Sequence, residues 1–241
     1  MLDSKRQVST LLLAAFVMGG ASVAVRASPG GSLAVTSDYV LRGVSQSDGE
    51  AVLQGDVHWN FPIGWSAGVW ASKVHIAPRR ALTEFATYLQ WQRTISADFD
   101  LSAAATHYSY PHDPRPVGYE YDELSLSLAW RDQIYVAATW TPRLNLYSPL
   151  DGLASNRRVF SVEASWHRTL ARRLDLTAGL GIYAPQGLDD ASYSYGNLTL
   201  GWHYGHWRAN LNSIWVQNAG HRQYSPGPAG GPLAATVAWI F

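Results

Sequence analysis

The sequence predicts an all-β fold, a transmembrane antiparallel up-and-down β-barrel of about twelve strands. Three observations predict it. Apolar and polar residues alternate with period two along most of the chain after residue 32, as strands with two unlike faces require. Only 15% of the residues are charged, against roughly 25% in soluble proteins, while eleven Trp and thirteen Tyr are present. The last stretch, Leu233 to Phe241, sets Leu233, Ala235, Val237, Trp239 and Phe241 on one face against Ala234, Thr236 and Ala238, and finishes on an aromatic residue. Such a final strand resembles the terminal signature that the outer-membrane barrel-assembly machinery reads, so Phe241 is its expected contact.

Composition excludes several function classes. Eighteen basic and eighteen acidic residues cancel, so no global field favours nucleic acid. Cysteine is absent, which removes disulfides and thiolate chemistry. The eight His residues lack close ligand spacing, and no phosphate-cradling loop occurs, so neither a metal nor a cofactor is expected. Lys5 and Arg6 precede an apolar run from Val8 to Val17 and then small residues. Residues 1–27 therefore read as a signal peptide cleaved after Ala24 or Ala27, and 28–241 as the barrel domain. No apolar run reaches the ~20 residues of a spanning helix, so a membrane-resident mature chain must close as a barrel.

Taken in order, the first strand places Leu33, Val35, Tyr39 and Leu41 opposite Thr36, Asp38 and Arg42. Its partner has the clearest alternation, Leu53, Val57, Trp59 and Phe61 against Gln54, Asp56, His58 and Asn60. Pro62 to Gly64 turns the chain into Trp65–Val74, where Trp70 points with Ser66, Gly68 and Ser72. After a loop from Ile76 to Ala81, Phe85, Leu89 and Trp91 oppose Glu84, Tyr88 and Gln90. Phe99, Leu101, Ala103 and Ala105 then oppose Asp100, Ser102, Thr106 and Tyr108, ending at the proline-rich loop Pro111–Gly118. Leu124, Leu126, Leu128 and Trp130 oppose Glu123, Ser125, Ser127 and Arg131. Ile134 to Trp140 follows, then a long loop from Pro142 to Arg157. Phe160, Val162, Ala164 and Trp166 oppose Ser161, Glu163, Ser165 and His167, and Leu174 to Ile182 faces Asp175, Thr177 and Tyr183. Leu198, Leu200, Trp202 and Tyr204 oppose Asn197, Thr199 and His203. Trp207, Ala209, Leu211 and Trp215 oppose Arg208, Asn210 and Asn212, before the loop Asn218–Pro232 and the last strand.

Turns after the even strands are short and connections after the odd ones longer, which puts both termini on the periplasmic side. Rings from Trp59 to Phe241 gather at the turn ends and face outward, where an indole meets the headgroup boundary.

Ser37-Asp38-Tyr39-Val40-Leu41-Arg42-Gly43-Val44-Ser45-Gln46 resembles the TorF-like porins, proteobacterial outer-membrane barrels formerly a family of unknown function. Gln54-Gly55, Gly68 to Ser72, Tyr110-Pro111 and Glu123 also match, and Ala86 departs where an acidic residue is expected. The resemblance implies a pore in the bacterial outer membrane, among its lipids.

The expected function is a porin-like channel for passive diffusion of small hydrophilic solutes, not an enzyme. Its lumen is expected to be lined by Asp38, Arg42, Gln54, Asp56, His58, Asn60, Glu84, Glu123, Glu163, Asn197, Arg208 and Asn210. Asp38 and Arg42, roughly 13 Å apart on one strand at ~3.3 Å per residue, are too distant to pair. Inward acids, with Asp100 and Asp175, outnumber the bases Arg42, Arg131 and Arg208, which predicts weak cation preference. Two alternatives stand beside this reading. One is a lipid hydrolase or deacylase using a lipid-facing His107-x-Ser109, with Glu120 orienting the imidazole. The other is a non-conducting structural barrel filled by paired side chains.

Overall fold

The computed structural model describes residues 9–10, 17–18, 27–77, 80–111, 120–147, 154–186, 192–217 and 233–241. Most of the expected signal segment, with Ala24, lies outside the described residues, as do 112–119, 148–153 and 218–232 of the expected loops.

Period-two alternation becomes twelve strands: β1 (Ser28–Thr36), β2 (Val52–Asn60), β3 (Trp65–Ala77), β4 (Arg80–Thr94), β5 (Phe99–Ser109), β6 (Tyr121–Trp130), β7 (Ile134–Tyr147), β8 (Ala154–Ala171), β9 (Leu174–Pro185), β10 (Tyr193–Tyr204), β11 (Trp207–Gln217) and β12 (Leu233–Ile240). Each pairs antiparallel with its neighbours in sequence, and β12 returns to β1 to close the barrel. Closure removes the unpaired backbone of an open edge. At the seam Val237 faces Val35 and Trp239 faces Leu33. Gly31 and Phe241 exchange both backbone hydrogen bonds at 3.0 Å. Gly31 is needed there, because a Cβ would lie 2.6 Å from the Asp56 carbonyl oxygen and 2.7 Å from the Phe241 ring.

The outer face carries Leu33, Val35, Leu53, Val57, Leu126, Val162, Leu180, Ile182, Leu200 and Val237, all exposed. Buried on the inner face are Asp56, His58, Glu84, Gln90, Glu123, Ser127, Ser161, Asn197 and Arg208. This inverts a water-soluble protein. A continuous apolar exterior of this extent is an interaction surface, and a closed barrel suits it to hydrocarbon. Trp59, Trp65, Trp166, Trp202, Trp207, Trp239 and Phe241 are exposed at the short-turn end. Cross-strand partners there include Trp65 with Trp91 and Trp207 with Trp239.

Several boundaries differ from the sequence expectation. The wall of β1 ends at Thr36, so Tyr39 and Leu41 are not on its outer face. β3 and β4 continue through most of the expected Ile76–Ala81 loop. β7 runs past Pro142, where a register shift between Thr141 and Leu144 accommodates a residue that lacks a backbone N–H. Arg131 does not face inward. It sits in the turn after β6 with φ 50°, and its Nε donates to Asp98 at 2.8 Å.

Candidate lumen and its inserted loop

Beyond Ser37 the chain turns into the barrel. Val40–Leu41 pairs with Val44–Ser45 across the two-residue tip Arg42-Gly43. Both tip residues have positive φ, 49° and 80°, so this is the primed hairpin turn that favours Gly at its second position. A Cβ on Gly43 would meet the Val216 and Tyr195 side chains, on β11 and β10. The tip therefore lies against a part of the wall remote from β2 and β3, where the loop is anchored.

The hairpin carries its own scaffold. Ser45 and Ser47 hydroxyls donate to Asp38 Oδ1 at 2.6 and 2.9 Å, and the Gln46 amide donates to the Tyr39 carbonyl at 2.6 Å. β3 anchors it: the His75 amide donates to the Gln46 carbonyl at 2.6 Å, and His75 Nδ1 lies 2.9 Å from the Ser47 carbonyl. Tyr39 then seats edge-on against Trp70, with centroids 5.4 Å apart, in a buried cluster with Val52, Val74, Leu82, Ala86, Tyr108 and Tyr110. On the other side Val44 packs with Val159, Tyr183, Tyr193 and Tyr195.

Polar groups complete the docking. Tyr39 and Tyr110 hydroxyls donate to the two oxygens of Glu84, at 3.0 and 2.5 Å. Arg42 donates Nη1 and Nη2 to Glu123 Oε1 and Oε2 at 2.7 and 3.0 Å, the two-point geometry that a guanidinium makes with a carboxylate. Thr141 also donates to Glu123, and Tyr195 donates to Glu163. Burial lowers the Arg42 pKa, but the field and hydrogen bonds of Glu123 raise it further, so the net shift is upward and the guanidinium stays charged.

Between this loop and the short-turn end lies a cavity continuous with solvent. Leu41 and Arg42 form part of its lining, with Ser102, Thr106, Ser125, Ser127, Glu163, Ser165 and Asn197 among the wall residues. Small side chains on β5 to β8, among them Ser102, Ala104, Ser125, Ser127, Ala137 and Ser165, leave this space open beside the loop.

The remaining expected lumen residues fall on the inner face in separate groups. Asp56 bonds His58 Nδ1 at 2.6 Å and accepts from the Tyr88 hydroxyl at 2.8 Å. Gln54 lies 3.4 Å from Ser72 Oγ, and Asn197 donates to Thr199 at 3.1 Å. Asn60 and Asn210 are half-buried, and Arg208 is buried. Asp175 lies between His203, at 3.0 Å, and His167, at 3.7 Å. Asp38 and Arg42, expected on one strand face, instead serve the inside of the hairpin and its tip. Sequence reasoning missed the inward hairpin and Arg157, whose Nε is buried with no hydrogen-bond partner among the described residues. The signal for the hairpin was present in Arg42-Gly43 between the apolar pair Val40-Leu41 and Val44.

The expected hydrolase residues lie at the opposite end of β5 from the short turns. His107 faces outward, and its Nδ1 bonds Asp122 at 2.8 Å rather than Glu120. The reason is register, since Asp122 is the cross-strand partner of His107. Ser109 is half-buried and Glu120 is exposed before β6 begins. Among the described residues no cluster suited to a metal ion occurs.

The sequence model of Gcw_chp, described as a bacterial protein of unknown function, matches residues 23–201. Comparison with curated proteins found no match. Among solved structures, the NanC porin is similar with a TM-score of 0.55 and 10% identity, covering 88% of this chain and 98% of that one. The KdgM porin gives 0.52 and 7%, covering 89% and 98%. The COG4313 outer membrane channel from Pseudomonas putida F1 gives 0.51 and 11%, covering 91% and 97%. At these identities the likeness is one of fold.

Proposed function

The chain belongs to the Gcw_chp family, and we propose that its barrel is an outer-membrane channel through which small hydrophilic solutes diffuse passively. The observation that carries this reading is a cavity inside a closed barrel, bordered by Arg42, Glu123, Glu163, Ser127 and Asn197, while the outer face of the same barrel is apolar. The shared fold with outer-membrane porins supports it. The TorF-like resemblance at residues 37–46 falls inside the matched segment and supports it as well. In this reading residues 1–27 direct export, Phe241 is presented to the assembly machinery, and outer-membrane lipids surround the belt. No catalytic role is part of it.

The inserted loop makes the conducting path narrow. Glu123 and Glu163 border the cavity with Arg42, two carboxylates to one guanidinium, so the path favours cations. Single-channel recording of refolded protein in planar bilayers tests the proposal. Discrete steps and a cation-selective reversal potential in a salt gradient are expected. Absence of steps both in the wild type and after replacing residues 39–46 by a short glycine linker would leave a structural barrel instead.

One observation favours a second reading. His107 is exposed on the outer face with its ring held by Asp122, as a lipid-facing base would be, beside Ser109 on the same face. No hydrogen bond joins His107 to Ser109, and the channel reading stands ahead of it.

A further inference from the structure

We propose that the cavity behind the inserted loop is a binding site for guanidinium-bearing solutes, and that Arg42 occupies it as a tethered stand-in. The proposal rests on the channel reading for its physiological use, but not for the binding itself.

The geometry of the docked tip supports this. Arg42 is the last side chain of a segment that leaves the wall at Ser37 and reaches β6, five places around a ring of twelve strands. A guanidinium delivered in this way meets a prepared receptor. Glu123 takes both Nη atoms, and Thr141 donates to Glu123 Oε1. The Tyr183 ring centroid lies 5.9 Å from Arg42 Cζ, within the range of cation–π attraction. Glu163 adds a second carboxylate whose field the guanidinium also feels. Two carboxylates therefore face one cation, so withdrawing Arg42 leaves a negative, aromatic-walled recess rather than a neutral one.

That recess is not sealed from the cavity. Arg42, Glu123, Glu163 and Tyr195 all border the solvent-connected cavity, so a solute arriving there reaches the carboxylates without crossing the wall. Chemistry selects the ligand class. A planar fork matches Glu123 at two points, whereas an ammonium ion presents a single point charge. Apart from those of Arg42, the hydrogen bonds of residues 39–47 are to the loop itself, to β3 and to β4, and Val44 is held on β8 to β10 by apolar packing. The Arg42 side chain can therefore exchange for a solute while the rest of the loop stays anchored.

Competition sets the affinity scale. A short tether holds its ligand at an effective concentration of order millimolar, so a free guanidinium must exceed roughly that level to displace Arg42 from the wild type. Arg42→Asn removes the competitor while suiting the positive φ of the tip.

The experiment is calorimetric titration of refolded protein in detergent with ethylguanidinium, using tetramethylammonium to report charge alone. Arg42→Asn is expected to bind ethylguanidinium saturably, at least about tenfold tighter than the wild type, as expected when a tethered competitor is removed. Adding Glu123→Gln to that variant should abolish the binding, and tetramethylammonium should bind at least about tenfold more weakly because it cannot make the two-point contact. Non-saturable binding to Arg42→Asn, or binding indifferent to Glu123→Gln, overturns the site. If Arg42→Asn does not refold, Arg42→Lys serves: a weaker tethered competitor should raise the apparent affinity, and an unchanged affinity overturns the proposal. Saturable binding by a barrel that never conducts would refute the channel and leave the site. Conductance without binding would refute the site alone.

Discussion

The Arg42–Glu123 pair should hold the loop docked, and its loss should release the loop in a measurable proportion. The two side chains are only 11% and 9% exposed, and both guanidinium contacts lie within hydrogen-bond distance. Removing one partner of such a pair leaves the other charge buried and unpaired, at a cost of about 3–5 kcal/mol. Both side chains border a cavity continuous with solvent, so the lower figure is the appropriate one. About 3 kcal/mol is a factor of roughly 160 in an equilibrium constant, at about 1.4 kcal/mol per tenfold. A docked-to-undocked ratio of about 1000 would fall to about 6, raising the undocked fraction from about 0.1% to about 14%. Single-channel recording reads this as time spent in a higher-conductance level. Arg42→Asn and Glu123→Gln should each increase it, and the double variant should increase it by less than the product of the two, because neither charge is then stranded. Unchanged open time in Arg42→Asn, or fully multiplicative effects in the double variant, would refute the reasoning.

Three further outcomes are expected. Trp70→Ala removes the ring on which Tyr39 rests and should lower stability by about 3–5 kcal/mol, seen as a reduced melting temperature together with faster proteolysis within residues 37–50. Gly31→Leu should weaken the β1–β12 seam by about 1–3 kcal/mol through overpacking against Asp56 and Phe241, with loss of the fast-migrating folded band on unheated gels as the readout. Ser109→Ala and His107→Ala should leave outer-membrane lipid composition and esterase activity unchanged, and a loss of activity in both would favour the hydrolase reading.

Side-chain direction in the wall was legible in the residues themselves. A pleated strand turns successive side chains to opposite faces, so Leu53 and Val57 against Asp56 and His58 can be assigned without knowing any neighbour. The same holds for Glu123 and Ser127 against Leu126, and for Trp70 pointing inward with Ser72. Strand ends were less legible at Pro142, because whether a proline stops a strand or sits at a bulge depends on what the partner strand can absorb.

By itself the sequence determined a twelve-stranded two-faced sheet, its short turns and its outward aromatic ring, because these follow from period two and from residues that are neighbours along the chain. Only the tertiary structure decided that Tyr39 and Leu41 belong to an inserted loop and not to the wall. Alternation of apolar and polar residues looks the same whether the apolar face meets hydrocarbon or meets Trp70 and Tyr108 inside the barrel. The choice was made by Glu123 and Tyr195, which lie 81 residues beyond Arg42 and far along the chain on β10, and which approach the tip only after the ring has closed.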